Sequence, residues 1–349
     1  MPKLPNIALD ATYSIGDGLS GVGLYSREIL WGLAGAHPET GFDFCYRPHR
    51  YLRARRETLP PNVRRRLLAE PLGPRAARLF HGLNQRLPGI PMRIAVATFH
   101  DLFVMTGEYS TAEFRFRFTE QARDAAARAD AAIAVSEFTR GQVIGLLGVD
   151  PARVHVVHHG IRKLKDTVVP AAGRQKIVLN VGAIQKRKNI TGLVEAFEGL
   201  PGDWQLVLAG SCGYGAAEIL QRIERSPAQA RIRVTGYVSP VELGGLYSRA
   251  SIFAFPSLDE GFGMPVLEAM SAGVPVVTSD RSALPEVAGD AALLVNPEDT
   301  DGLRQALRQL ARDQDLRNEL ARRGNERAQK FTWGKAVRET WDVYQTLLR

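Results

Sequence analysis

Two hydrophobic rhythms alternate along the chain. Short apolar runs ending in a polar residue, such as "NIALDAT" (6–12), "GFDFCYRP" (41–48), "IAVATFHDL" (94–102), "AAIAVS" (131–136) and "VHVVHHG" (154–160), read as buried strands. Between them, "LYSREILWGLAG" (24–35), "TAEFRFRFTEQARDAAARAD" (111–130) and "EFTRGQVIGLLG" (137–148) place apolar residues three and four apart, which predicts helices. The stretch 47–78 has no clean period. Residues 161–176, "IRKLKDTVVPAAGRQK", have none either and read as a linker. The rhythm then restarts. Strands are expected in "IVLNVGA" (177–183), "WQLVLAG" (204–210), "RIRVTGYV" (231–238), "SIFAFPS" (251–257) and "VPVVTSD" (274–280), with helical segments between them. The tail from Asp299 reads as helix throughout, with breaks near Gly324 and around "FTWG" (331–334). Its last segment carries an apolar stripe of Trp333, Val337, Trp341, Val343, Tyr344 and Leu347 that has to dock on something.

Two strand–helix series separated by a linker imply two doubly wound α/β domains, which suits 349 residues. In such sheets ligands bind beyond the carboxyl ends of the strands. The functional residues are therefore sought there.

Composition narrows the class. Apolar residues make up 45% and charged residues 23%, the balance of a water-soluble globular chain. No apolar run is long enough to span a bilayer, and the first residues lack a secretory apolar segment. Cys45 and Cys212 lie far apart, with no metal or redox spacing. A cytoplasmic location is expected. The net charge of +8 is unevenly spread: between Arg47 and Arg78, ten arginines face only Glu57 and Glu70. A solvated basic face is one reading. A patch for anionic membrane headgroups or a lipid diphosphate is another. Nucleic acid is not expected, because aromatic interleaving for base stacking is sparse.

Two glycine loops precede predicted helices. Gly18, Gly21 and Gly23 bring backbone N–H groups and a helix N-terminus together, as phosphate sites do, although Ser26 stands where a dinucleotide fingerprint needs its last glycine. In "LDEGFGMPVLEAMSAGVPVVTSD" (258–280), Pro265 suits a first helical turn and leaves the amides of Gly263, Met264 and Val266 for an anion or hydroxyls. Glu260 before that turn and Glu268 within it can accept hydrogen bonds from ligand hydroxyls. Placement of negative charge at a helix N-terminus is the plainer explanation for them. Lys186, Arg187 and Lys188 end the strand "IVLNVGA", where arginine can grip a phosphate in bidentate fashion. His100 and Asp101 end another strand. His81, His155, His158 and His159 read as satisfied hydrogen-bonding residues. The triplets Asp299-Thr300-Asp301 and Asp313-Gln314-Asp315 read as helix caps, and no metal-ligand spacing occurs.

Taken together, these residues resemble the retaining glycosyltransferases of family 4. The likeness is strongest from "IVLNVGAIQKRKN" through "NPEDTDGL" and rests on the E-x7-E pair Glu260 and Glu268 within "PSLDEGFGMPVLEAMSAGVPVVTSD", on "RVTGYVSPVELGGLYSRASIFAFPS" and on "ALPEVAGDAALLVNPED". "SGVGLYSREI" and "TFHDL" resemble the matching elements of the first half.

The resemblance implies a GT-B fold of two Rossmann-like domains facing across a cleft. Residues 1–168 would bind the acceptor and 169–332 the nucleotide-sugar donor, and the helix 333–349 would return to the first domain. It also implies roles. Arg187 and Lys188 would hold the donor diphosphate, approached by Gly21 and Gly23. Glu268 would bind the ribose, with Tyr237 and Val238 beside the base. Glu260 would hold sugar hydroxyls in a pocket lined by Phe262, Gly263, Met264 and Val266. His100 would sit at the reacting carbon, so His100 and Glu260 are the catalytic candidates. The expected chemistry is metal-independent, with no cofactor beyond the donor. The reaction implied is hexose transfer, with mannose from GDP-mannose as the first choice, to a lipid-diphosphate-linked or oligosaccharide acceptor in surface-polysaccharide synthesis. It would take place at the inner face of the plasma membrane. A nucleotide-sugar epimerase and a non-catalytic nucleotide-sugar or polyanion binding module are the competing readings.

Overall fold

The computed structural model describes residues 6–349 except 17, 20, 72 and 163–172. The chain forms two compact units. One comprises residues up to Thr106, Ala112–Gly160 and Thr332–Arg349; the other comprises Gly107–Thr111 and Ile161–Phe331.

In the first unit the elements run β1 (Asn6–Asp10), α1 (Gly21–Ala36), β2 (Gly41–Tyr46), α2 (Pro48–Ala54), β3 (Val63–Leu67), β4 (Leu79–Gly82), β5 (Ala95–Phe99), α3 (Phe103–Thr106), α4 (Ala112–Arg128), β6 (Ala131–Ala134), α5 (Glu137–Leu147) and β7 (Val154–Val156). The seven strands pair in parallel in the order β3-β2-β1-β4-β5-β6-β7. Both faces are covered, so the inner strands are buried end to end, as an all-parallel sheet requires.

The aperiodic stretch holds two elements that its pattern hides, α2 and the edge strand β3, and the four-residue β4 follows directly after it. In β3, "VRRRL", only alternate residues turn inward, and arginine stems serve in place of apolar side chains. Arg65 donates to the Glu57 carbonyl, and Arg66 pairs with the buried Asp43.

In the second unit the order is β8 (Gln175–Val181), α6 (Ile190–Phe197), β9 (Gln205–Ala209), α7 (Ala216–Glu224), β10 (Ile232–Gly236), α8 (Pro240–Arg249), β11 (Ala250–Phe255), α9 (Met264–Ser271), β12 (Val276–Ser279), α10 (Leu284–Ala288), β13 (Ala292–Val295), α11 (Thr300–Arg312) and α12 (Gln314–Ala328). Its six parallel strands pair as β10-β9-β8-β11-β12-β13. The order reverses between β8 and β11, which makes their carboxyl ends the switch point where doubly wound sheets bind ligands.

Three expectations about boundaries are corrected. The linker ends earlier than expected: 163–172 lie outside the described residues, but Gln175 and Lys176 already belong to β8. The sixth strand, β13, hides in "AALLV". The tail does not break near Gly324, which lies inside α12 with Met270 against it. It breaks at Asp313, whose side chain caps α12 by accepting from the Leu316 amide, as Asp299 caps α11 by accepting from Gly302.

The last helix, α13 (Trp333–Leu348), packs on α1. Gly32 permits the approach, since a Cβ there would run into Val337. The His37 ring stacks on Trp341 with centroids 3.7 Å apart. Deeper in, Tyr344 Oη lies 2.5 Å from His81 Nδ1, and His81 Nε2 lies 2.8 Å from Thr98 Oγ1.

Candidate functional site

The site forms at the switch point of the second unit because both switch strands end in tight, polar turns. After β8, residues Lys186–Lys188 make a single turn closed by Asn189 in the left-handed region (φ 51°). This folds Arg187 and Lys188 inward, so both are buried rather than displayed on an exposed basic turn. After β11, the turn from Ser257 to Gly263 carries Glu260. The Leu258 amide donates to the Arg187 carbonyl (2.8 Å) and stitches the two turns together. Inside the sheet, Asn180 donates to the Ala254 carbonyl and ties β8 to β11.

Charge then organises the interior. Glu260 Oε2 lies 3.0 Å from Arg187 Nη1. Its Oε1 accepts from Lys188 Nζ and from Ser257 Oγ at 2.5 Å. Burial alone pushes this carboxyl up. Arg187, Lys188 and the hydrogen bonds outweigh it and hold the group at about 2. The ammonium of Lys188 also stands 4.8 Å over the Phe255 ring. Two cations meet the Glu260 carboxylate there, and Asp259, whose carbonyl accepts from Arg187, is buried beside them. Converging cations of this kind can meet an anion.

Next to the cluster, α9 opens at Gly263 (φ 104°), where a Cβ would come within 2.6 Å of Leu284. Only glycine fits there. Phe262 is buried edge-on against Phe331, and Met264 is half-buried. The expectation that the Val266 amide stays open is corrected. It donates to the Gly263 carbonyl at 3.0 Å, because the first turn of α9 closes tightly around Pro265.

Glu268 lies a turn further on and is 6% exposed. Its Oε2 accepts from Tyr247 Oη at 3.1 Å. Burial raises this carboxyl, opposed by Arg162 and by the tyrosine. Tyr237, 63% exposed, and Val238 lie in the turn after β10, at the same edge of the sheet but two strands from the switch point.

The other candidates belong to the first unit. Gly21 and Gly23 open α1. A Cβ on Gly23 would meet the Tyr13 carbonyl at 3.0 Å, so close packing of the loop by itself calls for glycine. His100 follows β5 and is buried. Its Nε2 is 2.9 Å from the Leu83 carbonyl, which can only accept, so that nitrogen carries the proton. Nδ1 is therefore an acceptor, and His159 Nε2, 3.3 Å away, is its donor. Burial lowers His100 to about 4 and leaves it neutral at physiological pH.

Two neighbours of these candidates escape sequence reasoning: Ser257, three residues before Glu260, has a readable local signal, whereas Tyr247 has none, since folding alone brings it to Glu268. His159, read as a hydrogen-bonding residue, meets His100.

With this geometry in hand, the chain was compared with known proteins. A family model described as "Glycosyl transferases group 1" matches residues 162–327, and one described as "Glycosyltransferase Family 4" matches 44–163. O-antigen chain mannosyltransferase B of Escherichia coli is 33% identical over 284 residues, 77% of this chain and 74% of that protein. Serotype-specific mannosyltransferase WbdA of Escherichia coli is 28% identical over 239 residues, 64% of this chain but 29% of that longer protein. Among solved structures, sucrose-phosphate synthase from Thermosynechococcus elongatus superposes with a TM-score of 0.77 at 22% identity, covering 98% of this chain and 99% of that one. That likeness establishes the fold, two parallel-sheet α/β domains of the GT-B class.

Proposed function

The chain belongs to glycosyltransferase family 4, and from that premise we propose that it transfers mannose from GDP-mannose, with retention, to a lipid-linked or oligosaccharide acceptor in surface-polysaccharide synthesis. One observation carries the donor site: the buried Arg187–Glu260–Lys188 cluster at the β8/β11 switch point, where two cations converge. The choice of mannose draws support from relatives named as O-antigen mannosyltransferases.

In this reading Arg187 and Lys188 meet the diphosphate. Glu268 accepts from the ribose diol, with Tyr237 and Val238 beside the base. Glu260 is already engaged by Lys188, Ser257 and Arg187. A carboxylate offers about four acceptor positions, so it has room for about one sugar hydroxyl. The sugar–phosphate bond breaks with oxocarbenium character, and its electron pair stays on the leaving phosphate oxygen. The two cations stabilise that charge, each worth about 10²–10³ in rate, so no metal is required. The acceptor hydroxyl bonds to the anomeric carbon on the face the phosphate leaves, and its proton passes to the departing phosphate oxygen. Glu260, held ionised and tied to two cations, is a positioning group rather than a nucleophile. His100, neutral with both nitrogens engaged, transfers no proton in this scheme.

The test is nucleotide release from GDP-mannose, UDP-glucose and ADP-glucose in the presence of a lipid-linked oligosaccharide extract, with and without EDTA. GDP release that depends on acceptor and is insensitive to EDTA is expected. Turnover of a different donor overturns the mannose assignment. Release that needs no acceptor and yields an isomerised nucleotide sugar favours an epimerase.

A further inference from the structure

We propose that Tyr247 is the positioning residue that makes Glu268 a ribose-binding arm, and so sets the preference of the donor site for a nucleotide with an intact diol. This rests on the assignment of Glu268 to the ribose. Tyr247 sits on the inner face of α8, fully buried, with its ring 5.8 Å from Phe253. Burial, first, and the neighbouring Glu268 push its phenol well above the usual range, so it keeps its proton and can donate it. Two acceptors lie within reach: Glu268 Oε2 at 3.1 Å and the Pro265 carbonyl at 3.4 Å. The nearer is the carboxyl oxygen, which accepts the hydrogen bond.

The consequence concerns the other oxygen. A glutamate has three rotatable bonds, and on α9 nothing in its own helix fixes where the carboxylate points. Tyr247 pins Oε2 toward α8 and the Pro265 carbonyl. Oε1 accepts no hydrogen bond among the described residues, yet the side chain is almost wholly buried, which orients that oxygen for a ligand. A carboxylate with one oxygen anchored and one offered suits a vicinal diol, whose two hydroxyls need a fixed acceptor. Arg162 supplies positive charge near both groups and favours the ionised, accepting form. Tyr247 touches no substrate in this scheme. It acts through Glu268.

The experiment measures binding of GDP and of 2′,3′-dideoxy-GDP to the wild type and to Tyr247→Phe. The substitution keeps the ring packed on Phe253, and a thermal melt checks its fold. The wild type is expected to favour GDP by about tenfold or more, the scale of one hydrogen bond to a charged group. In Tyr247→Phe that preference collapses through weaker GDP binding, while dideoxy-GDP binds as before. In a Glu268→Ala background the same substitution changes neither affinity. A purely structural tyrosine would weaken both ligands alike, and that result overturns the proposal. A Tyr247→Phe protein that keeps the full GDP preference overturns it as well. If the wild type does not distinguish the two nucleotides, or binds neither, the ribose assignment fails and the proposal falls with it.

Discussion

At the scale of single residues, chemistry was legible where one local pattern implied one atom arrangement. Arg187 and Lys188 stand at a predicted strand end and Glu260 just before a predicted helix, and the structure brings all three into one buried ion cluster. What the pattern hid was how they share it. Read in isolation, the cations and the carboxylate look like separate arms. Folded together they restrain one another, and Glu260 has about one acceptor position left. The depressed carboxyl also fixes a sign. Its stabilising contribution is complete above the ordinary carboxylate value of 4.5 and is lost as pH falls toward about 2, so it stays ionised throughout the physiological range. Glu268 has the opposite sign: burial raises it, opposed by Arg162 and Tyr247. Tyr247 lies 21 residues away on another helix, and no local spacing marks it.

At the scale of elements, apolar runs bounded by turn residues are readable even where short, as in β6, β7 and β12, and elements without such a run are not. The four-residue β4 and β13 show no period, and β3 sets three consecutive arginines between Val63 and Leu67. In the tail, helix boundaries are set by aspartate capping rather than by glycine, so the break falls at Asp313 and not at Gly324. The docking of α13 shows the same dependence on contacts remote in sequence. Its Tyr344 meets His81, which bonds Thr98, and Thr98 in turn lies 2.9 Å from Tyr25 Oη. Burial lowers His81 to about 3, His100 to about 4 and His159 well below its ordinary value. An unfolded histidine takes up its proton near pH 6.5. The stability these neutral side chains contribute is therefore complete above that value and is lost as pH falls toward 4, by on the order of 1.4 kcal/mol per pH unit for each histidine. Tryptophan fluorescence reads the event, because Trp31, Trp333 and Trp341 belong to this unit and Trp204 to the other. The thermal midpoint should drop between pH 6.5 and 5 at constant ionic strength. An unchanged midpoint would show that the histidine network does not hold this unit.

For the whole molecule, the restart of the strand–helix rhythm announced two α/β units, and family membership followed from motifs that no single element contains. Net charge was the least decisive signal. Of the ten arginines between Arg47 and Arg78, Arg47 faces Asp10, Arg65 bonds the Glu57 carbonyl, Arg66 pairs with Asp43 and Arg78 bonds the Leu348 carbonyl. Arg55, Arg56, Arg64 and Arg75 remain exposed, and Leu52 beside them on α2 is 74% exposed. No helix among the described residues is long and apolar enough to cross a membrane. Peripheral contact with anionic lipid through this segment is accordingly a proposal. It predicts sedimentation with phosphatidylglycerol vesicles that weakens from 50 to 500 mM salt, and equal binding to neutral vesicles would refute it.

The central claim is that the buried cluster at the β8/β11 switch point holds the donor diphosphate. Calorimetric titration of GDP into the wild type, Arg187→Ala and Lys188→Ala tests it directly, with folding of each variant checked by melting. The account predicts binding by the wild type and a loss of about tenfold or more in each variant, as expected for removal of one charge-assisted phosphate contact. Folded variants that bind GDP as tightly as the wild type would contradict it.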